Sequence, residues 1–156
     1  MREIFERAYS LLNRCATALQ SPFLLLVRLY WGWQFIQTGW GKLNNIAKVT
    51  EFFTSLGIPF PAANAHFIAG LEFTGGILLV VGVASRFIAL PLTINMLVAY
   101  ITADREALLS FFSDPDKFYA AAPYTFLVAS LIVLLFGPGR FALDEWLTRK
   151  ASGPSR

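Results

Sequence analysis

Long apolar runs alternate with short polar segments along the chain. Each run has close to the roughly 20 residues that a helix needs to cross a bilayer. The alternation predicts an all-α polytopic membrane protein, a four-transmembrane-helix bundle with short interfacial helices. We expect a single domain over 1–150 and a disordered tail over 151–156, with membrane spans at about 22–41, 63–83, 86–103 and 119–136.

Two further segments carry apolar residues at helical spacing but are mixed with charges. Arg2–Gln20 predicts either an amphipathic helix on the membrane surface or an extension of the first span, which Ser21-Pro22 would begin. Between spans one and two, Ile46, Val49, Phe53 and Leu56 share one stripe. We interpret this stripe as a passive surface helix, with a lid over a cavity as the alternative.

Two charges lie well inside the apolar runs, and they have opposite signs. A carboxylate in a membrane span costs about 2.5–3.5 kcal/mol on insertion scales, so Glu72 in span two needs a partner. Arg28 in span one is the predicted partner, although side chains lean toward their own helix N-terminus and this pair would lean apart. Asn95, Arg86 and Lys42 are the alternatives for Glu72.

Glycines accompany both charges at helical spacing. Gly32 and Gly39 follow Arg28 on one face, and Gly75 and Gly76 follow Glu72 by three and four residues. Small residues let neighbouring helices approach closely in membranes, so we assign these four glycines to helix packing.

The composition supports a membrane protein and excludes several site types. The chain is 56% hydrophobic and 15% charged, against about 25% charged in soluble domains. Its net charge of +3 is not clustered into a nucleic-acid-binding stripe. With one cysteine and one histidine, we expect no intrinsic cofactor and no metal site. Catalytic residues are unknown; the ligand-binding candidates are Arg28, Glu72, Lys42, Asn95, Arg86 and His66.

The distribution of cations predicts the orientation in the membrane. Four helices place both termini and the turn between spans two and three on one side, which holds eight lysines and arginines against four on the other. Because cytoplasmic loops carry the excess of these residues, we expect both termini in the cytoplasm and the protein in the cytoplasmic (inner) membrane.

The order of several short motifs resembles the DoxX family of small four-helix membrane proteins. The motifs run from Thr38-Gly39-Trp40-Gly41-Lys42 through Leu56-Gly57-Ile58-Pro59 and Glu72-Phe73-Thr74-Gly75-Gly76 to Gly137-Pro138-Gly139 and Leu143-Asp144. By position, the resemblance marks Arg28, Lys42, Glu72, Arg86 and Asp144 as recurring polar residues. Ala142 stands where the pattern leads us to expect a small hydroxyl residue.

The resemblance implies an accessory membrane subunit of a quinone- or thiol-linked redox or oxidative-stress system. The chain would then not be an enzyme by itself and would need a bound quinone or a membrane-associated oxidoreductase partner. The alternative is a non-enzymatic scaffold in which the buried charges only organise the bundle. A proton-coupled exporter is disfavoured, because a stable cationic partner would hold Glu72 ionised. We expect the bilayer and no nucleic acid as partners, and leave a homo-oligomer open.

Overall fold

The computed structural model describes residues 1–151, and within that range every regular element is a helix. Ala151 ends the last helix, while the rest of the tail predicted to be disordered lies outside the described residues. The helices, in chain order, are α1 (Arg2–Asn44), α2 (Ile46–Ser55), α3 (Pro61–Val81), α4 (Ser85–Thr102), α5 (Arg105–Leu109), α6 (Pro115–Ala120), α7 (Pro123–Phe136) and α8 (Leu143–Ala151).

The longest helix, α1, corrects the first predicted boundary. Ser21-Pro22 does not begin a helix, because α1 runs through Pro22 without interruption for 43 residues. Proline lacks the backbone N–H group that would donate to the carbonyl one turn earlier. A helix tolerates this loss where that carbonyl finds another hydrogen-bond donor. Arg2–Gln20 is therefore an in-line extension of the first predicted span, which was one of the two alternatives.

Within residues 1–151, α3 and α4 are long and apolar enough to cross a membrane. The fourth predicted span is divided. Ala121 adopts an extended conformation between α6 and α7, and Pro123 begins α7. The first turn of a helix accommodates proline readily, because its backbone N–H groups have no intrahelical partner there. The remaining apolar helix, α7, has 14 residues.

Close helix packing centres on α3, which lies against α1, α2 and α4. A Cβ atom on Gly76 would meet the backbone of Gly32 and Ile36 in α1, whereas a Cβ atom on Gly75 would meet Leu92 of α4. The two adjacent glycines thus face two different helices. The apolar core between α1, α3, α4 and α7 contains Val27, Phe35, Leu79, Leu92, Met96, Tyr100, Leu127 and Val133.

Candidate functional site

Glu72, in the middle of α3, is fully buried and ion-paired with Lys42. The Nζ atom of Lys42 lies 2.5 Å from both carboxylate oxygens. The Glu72 side chain is 2% exposed, but that of Lys42 is 33% exposed. Within the pair, Glu72 is therefore shielded from its surroundings, whereas Lys42 borders open space.

Helix geometry explains why Lys42 reaches Glu72. Gly39 of α1 lies against the backbone of Ala69 and Phe73, so the last turn of α1 is level with the turn of α3 that precedes Glu72. Because side chains lean toward the N-terminus of their own helix, those on antiparallel α1 and α3 converge from these positions. A lysine near the end of a span can thus extend inward to a buried carboxylate.

Asn95 of α4 completes the polar cluster. Its Nδ2 atom donates a hydrogen bond to Oε1 of Glu72 at 2.9 Å, and the residue is 8% exposed. Glu72 consequently accepts bonds from two other helices, α1 and α4. These hydrogen bonds offset the large free-energy cost of burying a carboxylate.

The cluster lies at the wall of a cavity of about 670 Å³, within the range of small-molecule sites. The cavity is formed by α1, α2, α3, α4, the start of α7 and the segment that leads into α3. Its polar side chains are few compared with its apolar and aromatic ones. The apolar lining includes Phe35, Val49, Phe52, Phe53, Leu56, Ile58, Ile68, Met96, Val98 and Phe126.

The short helix α2 forms one wall of this cavity. Val49, Phe53 and Leu56, which the sequence placed on one stripe, line it together with Phe52. The sequence interpretation as a passive surface helix was therefore wrong in one respect, since the apolar face of α2 covers a cavity. The cause is the turn at Gly57–Pro59, which folds α2 back against α3.

The predicted ion pair between Arg28 and Glu72 is wrong. Arg28 is 1% exposed and donates to three backbone carbonyls: Leu79 at 2.9 Å, Val80 at 3.1 Å and Pro138 at 2.8 Å. In the observed register Arg28 lies beside Gly82, ten residues from Glu72 along α3. At 1.5 Å per residue this is about 15 Å, which no side chain spans.

Arg28 instead caps the C-terminal end of α3. The last carbonyls of a helix lack intrahelical donors, and a cation there also opposes the negative end of the helix dipole. Asp144 caps the other side of the turn, at the N-terminal end of α4. Its carboxylate accepts hydrogen bonds from the backbone amides of Ala84 and Ser85, at 2.7 and 2.9 Å. Arg28 and Asp144 thus hold the α3–α4 turn from both sides.

The remaining candidates lie away from the cavity. Arg86 is exposed at the opposite end of the molecule and donates to the carbonyl of Leu135 at 3.3 Å. It borders a larger and more open depression of about 850 Å³, together with Arg140 and Asp144. His66 is exposed, and its Nδ1 atom lies 2.8 Å from the carbonyl of Ala62 in the preceding turn. We place the candidate site at the smaller cavity because it contains the buried ion pair.

Several cavity residues were not predicted from the sequence. Met96 and Phe126 come from different helices, and Thr102 and Asp104 from the end of α4 and the residues after it. Met96 is the residue after Asn95, and Phe126 lies three residues inside α7. Among the lining residues that were not named as site candidates, only those of the stripe on α2 carried a signal in the sequence.

The arrangement can hold a lipophilic molecule that has one polar end. The aromatic and aliphatic walls would cover its apolar body, and Lys42 would donate to an oxygen atom of its head group. The Nδ2 atom of Asn95 donates to Glu72, and the side-chain amide oxygen of Asn95 is a separate hydrogen-bond acceptor. Neighbouring hydrogen-bond donors and acceptors on one wall suit a carbonyl or hydroxyl head group.

Comparison with known proteins places the chain in a group of bacterial membrane proteins. It matches the DoxX family over residues 23–105. An uncharacterized protein of Haemophilus influenzae is 33% identical over 130 residues, which cover 81% of this chain and 83% of the relative. The Bacillus subtilis protein named "Putative oxidoreductase CatD" is 29% identical, over 79% of this chain and 85% of its own length.

A further relative is the Escherichia coli protein named "Inner membrane protein YqjF". It is 24% identical to this chain, with 85% of this chain and 97% of the relative covered. No solved structure is significantly similar to the chain. The match to the family covers more than half of the chain and includes Arg28, Lys42, Glu72 and Asn95. The chain is a membrane protein that belongs to the DoxX family.

Proposed function

We propose that this protein is an accessory membrane subunit of a quinone- or thiol-linked redox system, and that its cavity binds the head group of a quinone. The observation that carries the proposal is the Lys42–Glu72–Asn95 cluster at the wall of an apolar cavity. The name of the Bacillus subtilis relative supports an association with redox chemistry. Electrons would come from a partner protein, because a single cysteine supplies no dithiol.

The proposed arrangement in the membrane has four spans, contributed by α1, α3, α4 and α6–α7 together. Both termini are cytoplasmic, which places the cavity near the outer face of the inner membrane. At 1.5 Å per residue α7 alone is about 21 Å long, shorter than the hydrocarbon layer of about 30 Å. Its continuation by α6 toward the outer face supports a full crossing.

Three chain positions suit a quinone in this cavity. Lys42 is part exposed to the cavity, so its ammonium group can donate to a quinone carbonyl while it remains paired with Glu72. Phe53 on α2 and Phe126 on α7 line the same space. Aromatic rings favour offset stacking or edge contacts with another flat ring.

The test is the quinone content of the protein purified from native membranes in mild detergent. We expect quinone with the wild type, and loss of most of it in Glu72→Gln and in Ala99→Phe, which fills the cavity without removing the ion pair. Glu51→Gln is the matched control, because Glu51 is an exposed glutamate on the outer side of α2. The two cavity variants should accumulate in the membrane to wild-type levels if they fold normally.

The second candidate function is a non-enzymatic scaffold, and its basis is the complete pairing of the buried carboxylate. Three hydrogen bonds to Glu72 from two helices would serve to organise the bundle. In that case the wild type carries no quinone, Ala99→Phe has no effect on any phenotype, and Glu72→Gln lowers the abundance of the protein. This combination of results would reject the quinone proposal.

A further inference from the structure

The open depression of about 850 Å³ lies where the α3–α4 turn meets the loop between α7 and α8. Two arginines line it from different elements, Arg86 in the first turn of α4 and Arg140 in the loop. The side chain of Arg86 makes one long hydrogen bond, and that of Arg140 makes none within the described residues. Because a guanidinium group carries five N–H donors, most donors of these two side chains are available to a ligand.

Both arginines are positioned by the backbone around them. The guanidinium group of Arg86 lies against Gly137, where a Cβ atom would come within 3.2 Å of its Nε and Nη2 atoms. The backbone N–H of Arg140 donates to Oγ of Ser21 in α1 at 3.4 Å, and the preceding Gly139 packs against the same helix. The two cations therefore border one space from two fixed positions.

A buried hydroxyl group borders the same depression. Ser85 is fully buried, and its Oγ atom is the one buried side-chain polar atom that has no hydrogen-bond partner among the residues that the structure describes. Buried polar groups almost always have such a partner. Two guanidinium groups and a hydroxyl around one space suit a phosphate group, whose oxygen atoms accept several charge-assisted hydrogen bonds at once.

Two carboxylates, those of Asp144 and Glu145, also line the depression. Neither forms an ion pair with Arg86 or Arg140, and both have other interactions. Asp144 uses both carboxylate oxygens to cap α4, and the guanidinium group of Arg28 lies on the other side of the same turn. With Arg28 included, three guanidinium groups surround this region against two carboxylates.

An apolar groove adjoins the depression. This smaller space of about 390 Å³ lies between α1 and the end of α7, and it has four lining residues in common with the depression. The shared residues are Thr17, Gln20, Leu24 and Phe136. Phe23 also lines the groove, and Phe23 and Phe136 are 54% and 61% exposed. Both phenylalanines lie at the ends of apolar segments, which is the level of the lipid head groups.

We propose that the depression binds the phosphate group of an anionic membrane phospholipid. Arg86 and Arg140 donate to the phosphate oxygens, and an acyl chain lies on the face formed by Phe23 and Phe136. The proposed orientation places this end of the bundle at the cytoplasmic leaflet, and basic pockets between helices on that side bind anionic head groups. The lipid site is independent of the proposed quinone site, which is at the other end of the molecule.

Native mass spectrometry of the delipidated protein tests the proposal, with phosphatidylglycerol and phosphatidylcholine as probes. We expect tighter binding of phosphatidylglycerol, and Arg86→Gln combined with Arg140→Gln should weaken it on the order of tenfold while binding of phosphatidylcholine is unchanged. Arg7→Gln combined with Arg14→Gln is the matched control, because it removes two exposed arginines from the N-terminal extension. Equal binding of the two lipids, or equal losses in the two double variants, would overturn the proposal.

A second variant fills the site without changing its charge. Thr17 is exposed and lines both the depression and the groove, so Thr17→Trp should retain the fold and lower the affinity for phosphatidylglycerol severalfold. Ser10→Trp, seven residues earlier on the same helix, should have no effect. Unchanged affinity in Thr17→Trp would contradict the proposal.

Competition with glycerol 3-phosphate separates a lipid from a soluble phosphate compound. This soluble head group has no acyl chain, so we expect it to displace phosphatidylglycerol only at a large excess. Displacement at equal concentration would overturn the lipid proposal and assign the depression to a soluble phosphate.

Discussion

At the scale of single residues, the two buried charges are satisfied in different ways. Glu72 has a cation and an amide as partners, whereas Arg28 has three backbone carbonyls. The sequence correctly marked both as requiring partners. It could not pair them, because pairing depends on the axial register of α1 and α3, and a shift of a few residues changes which side chains meet.

Arg28 is predicted to be a stability residue. Its replacement by methionine leaves three carbonyls near the α3–α4 turn without their donor, and hydrogen bonds to charged groups contribute about 1.5–3 kcal/mol each at most. We expect Arg28→Met to lower the free energy of unfolding by about 2–4 kcal/mol, measured by denaturant titration in detergent. Arg86→Met is the control, since Arg86 is exposed with one long bond. Equal losses in both variants would contradict the capping role.

At the scale of elements, the contact between α1 and α3 sets the register that builds the site. Gly39 lies so close to α3 that a Cβ atom would come within 2.7 Å of Cα of Phe73 and 2.9 Å of the carbonyl oxygen of Ala69. The same contact brings Lys42 to the level of Glu72. The ion pair therefore depends on a glycine three residues earlier in the chain.

Gly39→Ala should separate α1 from α3, because backbone atoms cannot move aside as a flexible side chain can. We expect a loss of about 1–3 kcal/mol in unfolding free energy, typical of overpacking. Gly41→Ala is a matched control two residues away, where a Cβ atom would meet nothing within 4 Å. It should be neutral or stabilising by up to about 1 kcal/mol through helix propensity. Comparable destabilisation by both substitutions would argue against the close contact.

The pair between Glu106 of α5 and Lys117 of α6 is predicted to depend on pH. Lys117 donates to the Glu106 carboxylate at 2.9 Å, and this hydrogen bond lowers the pKa of Glu106 below its ordinary value. Because the pKa of Glu106 is lowered in the folded state, the pair stabilises the folded state fully above the ordinary pKa of glutamate. This stabilisation is lost as the pH falls through the lowered pKa. An NMR titration of labelled glutamate should locate the lowered pKa, and Lys117→Met should return it to the ordinary range. An unchanged titration in that variant would exclude the pair.

At the scale of the whole molecule, the sequence predicted the elements better than their assembly. Hydropathy located the apolar helices, because burial in lipid requires long apolar runs. The cavity was not predictable in the same way. It combines α1, α2, α3, α4, the start of α7 and the segment before α3, and the relative positions of these elements depend on turns such as Gly57–Pro59. The break at Ala121 was missed because the hydropathy of the run continues through it.

The proposed orientation predicts which loops a membrane-impermeant maleimide reaches in intact cells. In a Cys15→Ser background, Ser113→Cys between α5 and α6 should be labelled from outside. Arg140→Cys, between α7 and α8, should be labelled only after the membrane is permeabilised. Both positions are exposed, so differences in labelling report the side of the membrane. The reverse pattern would invert the topology.

The central claim is that a lipophilic ring with a polar head group binds in the cavity beside Lys42, Glu72 and Asn95. Photolabelling with a short-chain quinone analogue, followed by peptide mapping, tests it most directly. We expect labels on Phe53, Ala99 and Phe126, which competition with unmodified quinone removes and Lys42→Met strongly reduces. Labels spread equally over exposed apolar residues such as Leu97 and Ile101, without effect of the competitor or of Lys42→Met, would contradict it.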